Sequence, residues 1–505
     1  MLPFMENVPP IYSPSLVENS NNGSSRQITL LMRWPRCSKE FFRRVEQKIS
    51  DDFPREFHRD FPNMEVRRMK IGAGVSIITP KSPMAMAGYS ARHGNSTGTH
   101  DELKARAISL SLEGKEIAIV VCDLLAVGED LVAEIRGICE ATLGIPASNI
   151  MISATHTHQG PMGVSKYLDD TYPPFLVKKV VEAITQAKES QKNGKFRFVE
   201  NNLTSVSQNR RNPEGPIEEV LKVLLATDQN DEVIASVMAY ACHPTILEND
   251  NFLFSADFPG VANALLEKNL GGTSLFLQGT CGDLNPTWTA HDYANVKLNG
   301  EIVGASALVA ALESMQVGTD RRAVNLSWSL DTPQTYFNGS SIGKPTFKSL
   351  QKLVKVDRGY PDNFENIDND VSELEASLAA DSSLMNVKSI QPKLSELRSR
   401  RNLWRRPNPR NIPGSDELEI QVIQISQDCA FVGLPGEFLV EVGKEIQRRS
   451  PIKNTIVVGY ANGYYEYFPL SKHFAEHGYE IGASRYVKGS TEKMIDASIE
   501  LLNAL

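Results

Sequence analysis

The sequence predicts an α/β fold on two observations. From Met69 onward, short apolar runs of strand length alternate with amphipathic stretches of helical length. Polar residues capable of chemistry then follow directly on several of those runs, as at the carboxyl ends of strands in α/β sheets.

The elements follow in order. KIGAGVSIITP reads as a strand ended by Pro80, and KEIAIVVCDLLAV as a buried strand. EDLVAEIRGICEATLG has helical spacing and stops at Gly144, a residue suited to a helix C-terminus. NIMISATHTH is the next strand, and the stretch from Pro173 to Lys192 the next helix, with proline at its start. VIASVMAYACHP, then FPGVANALLEKNL, then TSLFLQGTCGD, repeat the strand–helix–strand rhythm, and NGEIVGASALVAALESM adds a helix. Residues 345–410 are charged with helical patches and read as a helical insertion. ELEIQVIQIS, DCAFVGLPG and NTIVVGY are strands; EFLVEVGKEIQRR and TEKMIDASIELLNAL are helices. No internal repeat is visible. Residues 1–68, rich in Pro, Ser and Asn and then charged, read as a partly disordered N-terminal extension, leaving 69–505 as one domain.

Composition narrows the function. The 505 residues carry 53 Lys+Arg and 61 Asp+Glu, a formal charge of −8, and such a mildly acidic chain lacks the basic face that nucleic acids require. No apolar run reaches the roughly 18 residues of a membrane span, and the N-terminus lacks the apolar region of a signal peptide. A cytoplasmic location is the default expectation, and the oligomeric state is left open. Six scattered cysteines without a C-x-x-C pair read as buried free thiols.

Candidate chemistry gathers after the strands. His156 and His158 end NIMISATHTH, His243 ends VIASVMAYACH, Glu437 follows CAFVGLPG, and Tyr464 and Tyr467 follow TIVVGYANG. In an extended segment His156 and His158 point to one side. Two histidines and a carboxylate are a common catalytic zinc shell. Each residue also has a plainer reading: hydrogen-bonded loop histidines, a core histidine at His243, a charge on a helix dipole at Glu437.

These residues carry a resemblance. ISATHTHQGP, QNRR, YACHP, GLPGEF, ANGYYEYFPL and HGYEIGAS, in that order, resemble the motifs of the neutral/alkaline non-lysosomal ceramidase family. The resemblance implies one large mixed-sheet catalytic domain and hydrolysis of a linear amide, N-acyl sphingoid or related, by zinc-bound hydroxide. It places the chain in lipid metabolism with a small amide or lipid-like substrate. It implies Zn2+ held by His156, His243, Glu437 and Tyr467, with His158 as the catalytic base. Arg210, Tyr479 and Asn285 are implied around the reacting carbonyl. Two departures stand out. The family's G-D-x-S-P segment here is Gly282-Asp283-Leu284-Asn285-Pro286, with no hydroxyl at Asn285. The chain also ends at Leu505, which leaves no room for the family's C-terminal immunoglobulin-like domain. Two other readings are a non-catalytic zinc-binding member of the family and a hydrolase with Cys281 as nucleophile and His158 as base.

Overall fold

The computed structural model describes residues 69–81, 83–165, 171–316, 340–359, 366–405, 410–412 and 414–505. The expected extension over 1–68 lies outside them. Residues 67–505 form one compact unit.

The principal strands come in three sets of four, each set adjacent in chain order. The first is β1 (Lys70–Ile77), β2 (Lys104–Leu112), β3 (Lys115–Cys122) and β4 (Ile150–Ala154). Its first three strands run antiparallel, and β3 and β4 run parallel across helix α1 (Glu129–Leu143). Helix α2 (Pro173–Glu189) follows. The second set is β5 (Lys192–Asn202), β6 (Val220–Asp228), β7 (Val233–Tyr240) and β8 (Thr273–Gln278). Helix α3 (Asp257–Leu270) joins its parallel pair, β7 and β8, and α4 (Tyr293–Gln316) comes after. The third is β9 (Pro345–Arg358), β10 (Gly414–Ser426), β11 (Cys429–Gly433) and β12 (Asn454–Val458), with helices α5 (Ile367–Ala380) and α6 (Leu384–Arg405) between β9 and β10. Helix α7 (Val440–Arg449) joins β11 to β12; the one-turn α8 (Tyr479–Gly482) and α9 (Ser490–Asn503) follow. The sequence shows no repeat, yet the topology is the same three times.

Pairing of β1 with β5 fuses the first two sets into one mixed sheet, nine-stranded with the short strand Ser340–Ser341 on β5. The third set is a separate four-stranded sheet. Between them lies a shared core, with Ile119 and Met151 from the first set, Leu275 and Leu277 from the second, and Phe431 and Ile456 from the third. The sequence explains the local choices. Helix α1 has Glu129 and Asp130 in its first turn, favoured by the helix dipole, and ends on Gly144 at φ 67°. Strand β1 bears Gly72 and Gly74 because α2 lies directly on it: a Cβ there would stand 2.0 Å from the Ala187 carbonyl oxygen and 2.2 Å from that of Ala183.

The carboxyl ends of the three last strands meet. The Gln278 side chain donates to the Thr155 carbonyl at 3.1 Å and the Cys242 carbonyl at 2.8 Å, and accepts from the Cys242 N–H at 3.1 Å. The Gly459 N–H donates to the Gln278 carbonyl at 2.9 Å, and Asn462 exchanges two hydrogen bonds with the Ile152 backbone.

Several expectations are corrected. Read run by run, the sequence marks no strand at β2, β5, β6 or β9. The stretch 345–410 is not a helical insertion throughout: it opens with β9, which pairs along β10, and the helices are α5 and α6. The strand expected to run to His158 stops at Ala154. No helix among the described residues is long and apolar enough to cross a membrane.

Candidate metal and catalytic site

Three of the four candidate ligands leave the carboxyl end of a third or fourth strand. His156 follows β4, His243 follows β7 and Glu437 follows β11. His156 turns at φ 67°, a left-handed backbone that non-glycine residues seldom adopt. The segment is therefore not extended as expected, and the turn brings the His156 and His158 rings edge to face at 4.9 Å. All three ligand side chains are buried.

The hydrogen bonds fix which nitrogen faces inward. His156 Nδ1 donates to the Leu125 carbonyl at 2.7 Å, and His243 Nδ1 donates to the Cys281 and Leu284 carbonyls at 2.6 and 3.0 Å. Both Nε2 atoms are then lone-pair donors in the neutral imidazole. They face one carboxylate oxygen, Glu437 Oε2, at 3.5 Å from His156 and 3.2 Å from His243. Burial holds His243 neutral, with its pKa lowered to about 4. Three electron-rich atoms thus converge with no proton assigned between them, a donor set that fits a borderline cation such as zinc. His156, His158 and His243 form a group that could hold a metal, their ligand atoms all within 4.8 Å of one another.

His158 lies beside this group, its Nε2 3.3 Å from His156 Nε2. Burial, then its histidine neighbours, pushes its pKa well below the ordinary value. The 84–100 loop backs it: Tyr89 packs edge-on at 4.8 Å, Arg92 donates to its carbonyl at 2.9 Å, and Gly88 leaves no space for a side chain there.

Glu437 and Tyr467 pair directly, in register, in a two-residue parallel ladder. Tyr467 OH accepts from Arg210 Nη2 at 3.0 Å. Arg210 also donates to the Gly282 carbonyl at 2.7 Å and to Asn285 Oδ1 at 3.3 Å. Asn285 belongs to a short strand paired with Ser207–Asn209, which places it beside the arginine. Tyr479 faces the same guanidinium, 5.4 Å from its ring centroid, and is 46% exposed, at the solvent side of the group. The expected site residues therefore gather in one place.

Cys281 does not. Its side chain is wholly buried, its thiol is 3.1 Å from Tyr460 OH, and burial pushes its pKa up. It is no available nucleophile. Cys122, Cys139, Cys242 and Cys429 are likewise buried and free.

Sequence reasoning placed Tyr464 after a strand without giving it a role, and it missed Tyr460, Gln278 and Glu480. Tyr464 OH donates to Glu437 Oε1, and its phenol is held protonated by burial and by that carboxylate. Tyr460 stacks on His156 at 4.0 Å. Gln278 spaces the strand ends. Glu480 binds Arg210. Tyr464 alone had a signal, its position after a strand.

Comparisons with known proteins bear on the family and the fold. The family profile described as neutral/alkaline non-lysosomal ceramidase, N-terminal, matches residues 69–324, just over half of the chain. The chain is 25% identical to the neutral ceramidase of Pseudomonas aeruginosa over 480 residues, covering 83% of this chain and 69% of that protein. It is 24% identical to neutral ceramidase A of Dictyostelium discoideum over 502 residues, covering 82% and 69%. The fold matches a crystal structure of the P. aeruginosa neutral ceramidase with a TM-score of 0.67 and 21% identity, over 87% of this chain and 75% of that one.

Proposed function

The chain belongs to the neutral/alkaline non-lysosomal ceramidase family, and from that premise we propose that it is a zinc-dependent hydrolase of a linear amide, an N-acyl sphingoid or related N-acyl compound. The observation that carries the reading is the convergence of His156 Nε2, His243 Nε2 and Glu437 Oε2, with both Nδ1 protons committed to carbonyls. Its lipid-like substrate is inferred from its relatives' names, as neutral ceramidases.

His156, His243 and Glu437 would hold the ion, with Tyr467, the register partner of Glu437, as fourth ligand. A zinc ion there would supply a water acidic enough to attack an amide at neutral pH. The remaining work falls to the chain's own groups. His158 Nε2 faces the cluster and takes a proton from the attacking water, then returns it to the leaving amine nitrogen. Its depressed basicity keeps it in the neutral form that a base requires. Arg210 uses four of its five N–H bonds on protein acceptors, which leaves one Nη1 N–H for the carbonyl oxygen as charge develops there. Tyr479 adds a hydroxyl at the solvent side. The Asn285 carbonyl oxygen is committed to Arg210, so its amide N–H groups are the end left to orient substrate. That substitutes a donor-only group for a hydroxyl and tunes which polar substituents are accepted.

The test is metal analysis of the purified protein together with turnover of N-acyl sphingoids and shorter N-acyl amides. About one zinc per chain, lost together with activity in His243→Ala, is expected. Zinc without turnover on any N-acyl substrate would favour a non-catalytic binder; turnover that survives metal removal would overturn the zinc reading.

A further inference from the structure

Glu480 has no part in the chemistry above, yet it is among the most constrained acids near the site. It is 3% exposed, and two adjacent arginines grip its two oxygens separately: Arg210 Nε at 2.8 Å on Oε1 and Arg211 Nη1 at 2.7 Å on Oε2. Arg211 reaches further along the same segment, to Glu476 Oε2 and the His477 carbonyl, both at 3.1 Å. Its own N–H donates to Asn209 Oδ1 at 3.0 Å, and Asn209 donates to Asp283 Oδ2 at 2.9 Å. Arg210 and Arg211 therefore straddle two stretches of chain, 282–285 on one side and 476–480 on the other. Tyr479 immediately precedes Glu480.

We infer that Glu480 is the positioning residue of this wall: its divided carboxylate fixes the pose of Arg210 and aims the one remaining Arg210 N–H. The catalytic consequence rests on the hydrolase reading. The physical argument is one of alternatives. A guanidinium bound only to neutral acceptors can rotate among them; a buried charge-assisted bond at Nε removes that freedom. Loss of Glu480 would also leave two arginine charges side by side without their shared counter-ion. The segment has separate anchors, because His477 Nδ1 pairs with Glu396 Oε2 of α6 at 2.6 Å and Gly482 lies against the Glu396 carbonyl. Removing the Glu480 charge thus alters Arg210 without unfastening the segment.

The experiment uses the full chain carrying Glu480→Gln, with Glu480→Asp as the conservative variant. The first readout is steady-state kinetics on an N-acyl amide. Glu480→Gln is expected to lower kcat about 10- to 100-fold with KM within about threefold, and Glu480→Asp to restore part of the loss. Zinc content should stay at the wild-type value, while the thermal midpoint falls because the arginines lose their buried counter-ion. The second readout does not need turnover: the Arg210 Nε–H resonance of 15N-labelled protein, assigned through Arg210→Lys. Its exchange with water should quicken at least about tenfold in Glu480→Gln. A folded Glu480→Gln protein with wild-type kcat, or with unaltered Nε–H exchange, overturns the inference. If the wild type itself hydrolyses no amide, the hydrolase reading fails separately, and the exchange measurement still decides what Glu480 does.

Discussion

His156 and His158 are two residues apart but have separable expected roles, and substitution separates them. His158→Ala is expected to keep bound metal and lose about 10²- to 10⁴-fold in kcat, whereas His156→Ala loses both, as metal analysis beside kinetics would show. A second prediction concerns Asp257, buried at the start of α3 with φ 54° and one carboxylate oxygen, Oδ2, without a partner. Burial is the main cause that raises its pKa from an ordinary 3.8 to about 7. The folded state then binds more protons than the unfolded between those values, so this contribution to stability is full below about pH 4 and is lost as pH rises through 7. The rise corresponds to a penalty on the charged form on the order of 4 kcal/mol. Asp257→Asn should flatten that part of the stability–pH curve in denaturant titrations from pH 4 to 8. At this scale the sequence told much. His156, His158, His243 and Glu437 each follow an apolar run directly, so their positions were legible. Glu480 and Gln278 were not, because their marks are spatial: one lies between two arginines some 270 positions away, the other between two strand ends.

Elements were legible where burial was two-sided. Strand β3 is apolar along its buried length and was found. Strand β9, PTFKSLQKLVKVDR, reads as solvated helix in the sequence because its charges dominate the composition. It is an edge strand of the smaller sheet, burying Val354 and Val356 while Lys348 and Lys355 are exposed. Lysines on an edge strand discourage pairing with another chain, so the charge has a strand-level reason. A prediction belongs here as well. Gly74→Val should push α2 off β1, since even a Cβ would stand 2.2 Å from the Ala183 carbonyl oxygen. The expected loss is about 1–3 kcal/mol or more, read as a lower denaturant midpoint.

At the scale of the molecule, the candidate ligands come from all three four-stranded sets: His156 from the first, His243 from the second, Glu437 from the third. An ion bound by all three stabilises only the assembled unit. Removal of metal from the full chain should therefore lower its thermal midpoint, and readdition of zinc should restore it by an amount that grows with zinc concentration, measured by calorimetry. The threefold topology escaped the sequence because repetition of chain path needs only the same alternation of strand and helix, not the same side chains.

That division of ligands among three sets also orders events in time. Glu437 lies 194 residues after His243. At about 5–20 residues per second, synthesis leaves roughly 10–40 s in which both histidines have been made and their carboxylate has not. A nascent chain can present two imidazoles to a passing ion, but it cannot finish the cage. On the zinc reading, loading would be a late step in the protein's biogenesis, one that waits for the third set to fold onto the other two.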